Sequence, residues 1–194
     1  MARLFPAVGA AGVVLLLATA CASSPAAAPR SALTAPSAAA AISAGQLRDY
    51  VTAVEAVRRP VNQLLNQADP ILDAYHDHRI TPAVASARTG ALEQEFAALA
   101  VEMGTIAPAN PALARINAPY AQTYVLEDSY LAALASGLAD GNFGALPSTQ
   151  NAQRQAIVAW RIALQVAAAR VGLTLPADIQ QAGRGEIAPG LDGS

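Results

Sequence analysis

The sequence predicts an all-α fold over residues 45–176, an antiparallel four-helix bundle of up-down-up-down topology with proline-kinked helices. Three observations lead there. Apolar residues recur at seven-residue and three-to-four-residue spacing along the whole stretch, and no segment alternates as a half-buried strand does. Cap residues followed by proline mark helix starts, and glycines mark the ends. The segments between them run to roughly 20 to 30 residues with short connections, which favours antiparallel neighbours. A split bundle, two helix pairs set at an angle, is the alternative that the prolines allow.

The first segment carries Leu47, Val54, Val61, Ala68 and Tyr75 in one column. Tyr50, Val57, Leu64 and Ile71 form a second, and Val51, Leu65 and Leu72 a third, interrupted only by Arg58. Three adjacent columns make a stripe wide enough to face a core. The phase continues through Pro60 and Pro70, so one long kinked helix is expected rather than several short ones. The second helix starts at Thr81 as N-cap with Pro82 behind it, and buries Leu92, Phe96, Leu99, Met103 and Ile106. Gly90 is a place where it could split, and Gly104 with Pro108 ends it. Asn110 and Pro111 repeat the same start for the third helix, whose columns are Leu113, Tyr120, Leu134 and Tyr124, Leu131, Leu138, closed by Gly141. Ser148 is the expected cap of the fourth, which carries Ile157, Trp160, Leu164, Ala168 and Val171 before Gly172 and Pro176. Val158, Ile162 and Val166 give that last helix a second apolar face, the mark of a central helix or of an oligomer contact.

The flanks have a different composition. Residues 1–20 read as a signal peptide, with Arg3 as the positive start, an apolar stretch from Ala7 to Leu17 and then small residues. That stretch is too short for a bilayer core, which takes roughly 20 apolar residues. Leu17-Ala18-Thr19-Ala20-Cys21 resembles the lipobox of bacterial lipoproteins, with Ala18 where Leu is commonest. The resemblance implies that the Cys21 thiol carries diacylglycerol and that cleavage falls before it, leaving the protein lipid-anchored on the extracytoplasmic side of the cell membrane. Residues 21–44 are Ala, Ser and Pro with little to bury, which predicts a lipidated cysteine and a flexible or polyproline-like tether. In polyproline form the tether would reach roughly 70 Å. Residues 177–194 read as an irregular tail.

Cys21 is the only cysteine, so no intramolecular disulfide is available and the domain must rest on packing. All twelve basic residues are arginine and the chain is rich in alanine, the codon signature of a GC-rich bacterial genome. Against fourteen acidic residues these arginines give a net charge of −2, and no basic run exceeds Arg58-Arg59. A nucleic-acid surface needs clustered positive charge, so that class of partner is excluded from the expectation.

Few residues offer chemistry. A di-iron bundle needs Glu-x-x-His on two helices, and no Glu here has that partner. His76 and His78 would point about 200° apart on a helix and are read as solvated residues at a helix end. No metal and no cofactor are expected. Glu127 stands where its column should be apolar, and a buried carboxylate must be protonated or paired. Its expected role is a structural ion pair, with Arg58 the first choice of partner and Arg161 the second. Asp128 diverges from Glu127 by about 100°, so the two do not make a catalytic pair. Trp160, with Tyr124, is the candidate wall of a ligand pocket, although core packing is the plainer role for the tryptophan. Neither a Gly-rich phosphate loop nor Gly-x-Ser-x-Gly is present.

The expectation is therefore a membrane-tethered envelope lipoprotein without enzymatic activity, a binding or interaction module whose partners are the membrane, through its lipid, and an envelope protein. The alternative is a carrier of a small ligand or metal with its site between the helices, and a cavity of several hundred Å³ would favour it. Changing Cys21→Ser should leave the domain folded and release it from the membrane fraction; an unmodified Cys21 in mass spectra of the mature N-terminus would refute the anchor.

Overall fold

The computed structural model describes residues 41–184. Cys21, most of the tether and the end of the tail lie outside the described residues, which all fall in the unit Ser37–Ser194. The described chain is helical, without strands: α1 Ala44–Leu65, α2 Ala68–His76, α3 Pro82–Thr105, α4 Pro111–Asp140, α5 Gln150–Val171 and α6 Ala177–Gln181.

α1 opens on a capping box at the sequence Ser43-x-x-Gln46. Ser43 Oγ accepts from the Gln46 amide at 3.2 Å, and Gln46 Oε1 accepts from the Ser43 amide at 3.0 Å. The expected single long helix through residue 76 is not what forms, because the chain breaks at Asn66 and Gln67. The two prolines act differently. Pro60 stays inside α1, where Val57, Val61 and Leu64 hold both sides of it in the core. Pro70 has no amide hydrogen, and its ring would collide with the carbonyl four residues back, that of Asn66. The helix stops there and restarts, leaving Pro70 in the first turn of α2 where it is tolerated.

The other starts and stops follow their cap residues, with one exception. Thr81 Oγ1 accepts from Val84 N at 3.3 Å to start α3, which runs unbroken through Gly90. Asn110 Oδ1 accepts from Ala112 N at 2.9 Å to start α4. The Asn110 amide also reaches Gln46 Oε1 at 3.2 Å, so the caps of α1 and α4 are one hydrogen-bonded unit. α4 and α5 end on Gly141 and Gly172, both at φ 65°. Ser148 does not cap α5. Its N-cap is Thr149, whose hydroxyl serves the Gln153 side chain at 3.1 Å instead of a backbone amide. The residues after Pro176, expected to be irregular, begin with the short helix α6.

α3 packs most extensively on α4, α4 on α5, and α1 touches both α3 and α5. The predicted columns form the core: Leu47, Val54, Leu113, Leu131, Leu134, Leu138 and Leu164 are fully buried, with Phe96, Met103 and Trp160 between them. The loop after α4 folds back so tightly that a Cβ on Gly137 would lie 2.9 Å from the Phe143 ring and 3.0 Å from the Asn142 carbonyl oxygen. The second face of α5 stays largely in solvent, with Ile162 50% and Val166 46% exposed. No helix among the described residues is long and apolar enough to cross a membrane.

Leu65 is only half-buried, in contrast to Leu134. Leu134→Ala should therefore cost about 2–5 kcal/mol in urea unfolding. Leu65→Ala should cost roughly half as much or less, since part of its side chain already lies outside the packed core.

Candidate functional site

A cavity of about 430 Å³ opens beside the core. α1 contributes Arg58, Val61 and Leu65, α3 contributes Phe96, α4 contributes Tyr120, Thr123, Tyr124 and Glu127, and α5 contributes Gln153 and Ile157. α6 and the residues after it close the remaining side with Asp178, Gln181, Ala182 and Gly183. Two contacts hold that side in place. Arg161 donates to the Ala182 carbonyl at 2.7 Å, and Arg58 donates to both the carboxylate and the carbonyl of Asp178, the latter at 3.2 Å. Gly183 lies so close to α5 that a Cβ there would meet Val158 at 2.9 Å.

Glu127 lines this cavity and is 3% exposed. Neither carboxylate oxygen has a hydrogen-bond partner among the described residues. The Gln153 side chain across on α5 favours the charged form. Burial dominates and pushes the Glu127 pKa up to about 7. Asp128, half-buried beside it, is raised by burial as well.

The structural ion pair expected of Glu127 does not form. Arg58 is engaged on another side, with Glu55 Oε1 at 3.5 Å and with Asp178. Arg161 serves the Ala182 backbone. The geometry explains the miss: Glu55 lies one turn before Arg58 on the same helix, whereas Glu127 faces α5 and its uncharged Gln153. Glu55 itself is held above the usual carboxylate range by burial and then by the adjacent Asp178 carboxyl, against the pull of Arg59 at 3.1 Å and of Arg58.

The two aromatic candidates separate. Tyr124 is a cavity wall, stacked on Phe96 with ring centres 6.0 Å apart. Trp160 is core: its ring stacks on Tyr120 at 3.9 Å, and Tyr120 stands between it and the cavity. Tyr120 and Tyr124 join their hydroxyls at 3.2 Å, and burial raises the pKa of both.

No protein-family model, curated protein or solved structure matches this chain.

The remaining candidates are simpler. His76 and His78 are exposed at the end of α2, where His78 adopts φ 56° as the residue that turns the chain away from the helix. Among the described residues no three His, Cys, Asp or Glu side chains gather to hold a metal ion. A second recess, of about 480 Å³, lies between the start of α1 and the α3–α4 loop; Tyr50 and Asn110 line it, and it contains no buried charged group.

Gln153 and Asp178 are the site residues the sequence reading missed. Gln153 carried a faint signal, since it sits about one turn before Ile157 and two before Trp160 on their face of α5. Asp178 carried none, because a five-residue helix has too little periodicity to read.

The raised Glu127 pKa has a definite consequence for stability. The folded state holds a proton between the ordinary carboxylate value of 4.5 and about 7, where the unfolded chain has lost it. The Glu127 contribution to stability must therefore fall as pH rises through that window and level off above it, by about 3 kcal/mol. The difference between wild type and Glu127→Gln, measured by urea unfolding from pH 4.5 to 8, should show that loss in the wild type alone; Glu55 and Asp128 titrate in both proteins and cancel.

Proposed function

We propose that this protein is an envelope lipoprotein, held on the extracytoplasmic face of the membrane by a lipidated Cys21, whose helical domain binds a small molecule and performs no chemistry on it. The observation that carries the reading is the 430 Å³ cavity with the unpartnered Glu127 carboxyl in its wall. Its volume is that of a small-molecule site, and its lining mixes apolar and aromatic side chains with a few polar groups. A solid core would have favoured a protein-interaction module, and the cavity moves the weight to a ligand carrier.

Several features support the details. The four long helices contact in the cyclic order α1, α3, α4, α5, as an up-down-up-down bundle requires, with α2 extending α1 past its break. A protein partner in the envelope remains the second reading, supported by the exposed Ile162 and Val166 on α5.

The test is chemical. The full-length protein extracted from membranes under mild conditions should release a stoichiometric small molecule in native mass spectrometry. Leu65→Trp, which fills the cavity from its half-buried rim, should keep its helical circular dichroism and lose that molecule. Wild-type protein with nothing bound, and with no fragment binding at the cavity, would sink the reading.

A further inference from the structure

We infer that the cavity is a site for a small organic cation, an amine on an apolar body, whose ammonium group is received by Glu127 and whose body rests against Phe96 and Tyr124. This inference deepens the ligand-carrier reading and rests on it.

Four observations point to this ligand class. A carboxylate with both oxygens buried and unpartnered is among the most expensive groups a fold can keep, and cores replace such a group with an apolar residue unless something uses it. An ammonium supplies both the missing charge and the missing donors, with charge-assisted hydrogen bonds that are about twice as strong as neutral ones. The neighbouring wall is aromatic: Phe96 and Tyr124 stack with an interplanar angle of 24°, and aromatic rings attract cations electrostatically. Finally, the buried cationic side chain in the wall is occupied, because Arg58 donates to Asp178 and lies beside Glu55. An anion would find no unpaired guanidinium at that depth, only the exposed Arg184 at the lip.

Charge bookkeeping around the cavity agrees. Arg58 from α1, Asp69 from α2, Asp178 from α6 and Arg184 beyond it are the charged groups that share the wall with Glu127, while α3 and α5 present Phe96, Gln153 and Ile157. With Glu127 ionised, the acidic groups outnumber the basic ones by one. Burial sets the Glu127 shift, with Gln153 opposing. Binding a cation must then displace the proton that burial keeps on the carboxyl, so affinity should rise with pH up to about 7 and flatten beyond it. A neutral ligand accepting a hydrogen bond from the protonated acid would show the reverse.

The experiment uses matched probes on the intact domain in its full chain. Benzylamine and hexylamine are titrated against the wild type by NMR, with benzyl alcohol and hexanol as neutral counterparts, at pH 5.5 and pH 8. The expected result is that each amine binds at least tenfold more tightly than its alcohol at pH 8, loses roughly tenfold in affinity at pH 5.5, and falls to the level of the alcohol in Glu127→Gln. That variant removes a buried charge without changing shape, so it should fold at least as stably as the wild type at pH 8, and circular dichroism checks this. Equal binding of amine and alcohol, or amine binding indifferent to Glu127→Gln, overturns the cation assignment while leaving the cavity a ligand site. Failure of all four probes to shift any cavity resonance overturns the assignment together with the carrier reading beneath it.

Discussion

One buried chain of hydrogen bonds ties the four long helices together, and the rest of the domain is arranged around it. Trp160 of α5 donates to the Tyr50 hydroxyl of α1 at 2.8 Å, Tyr50 donates to Asn117 Oδ1 of α4 at 2.9 Å, and the Asn117 amide donates to the Ile106 carbonyl at the end of α3, also at 2.9 Å. Each bond contributes only about 1 kcal/mol net, but leaving any member buried without its partner costs about 1–3 kcal/mol. The chain therefore acts less as glue than as a test of register. A slide of any helix by one turn would orphan two polar groups in the core, so the helices settle where all of them are satisfied.

That constraint reaches the cavity. Trp160, fixed by its hydrogen bond, gives Tyr120 a flat surface to stack on at 3.9 Å. Tyr120 in turn holds the Tyr124 hydroxyl, and Tyr124 holds Phe96. The aromatic wall is thus the far end of the network that sets the helix register, and its rigidity is inherited from the core. The opposite wall is held by two arginines, Arg161 on the Ala182 carbonyl and Arg58, which anchors α6 through Asp178 and lies beside Glu55. Burial, and then the adjacent Asp178 carboxyl, hold Glu55 above the usual carboxylate range against the pull of Arg59 and Arg58.

Glu127 is the carboxyl with both oxygens buried and without a hydrogen-bond partner among the described residues. A leucine in its place would continue the Leu113, Tyr120, Leu134 column, and by area alone would add about 1.5–3 kcal/mol of burial. The carboxyl instead lowers stability at neutral pH.

Much of this could be read directly from the residues. Val54, Leu131, Leu134 and Leu164 announce their burial because a helix repeats every 3.6 residues, and local periodicity is enough to say which side of a helix is apolar. Thr81-Pro82, Asn110-Pro111 and Gly141 announce helix ends because capping is satisfied within three or four residues of chain. Glu127 announces itself as a misfit for the same reason. What one helix cannot contain is the identity of its neighbour. That Glu127 faces Gln153 and not Arg58, that Arg58 finds Asp178 across 120 residues of sequence, and that Trp160 turns its indole nitrogen to Tyr50 were decided only when the helices packed. The break before Pro70 was decided there too, since Pro60 and Pro70 carry the same local chemistry and yet only Pro60 stays inside an unbroken helix. Periodicity is a property of one chain segment, whereas a pair, a cavity or a break is a property of two surfaces meeting, and the free energy that selects it exists only in the folded state.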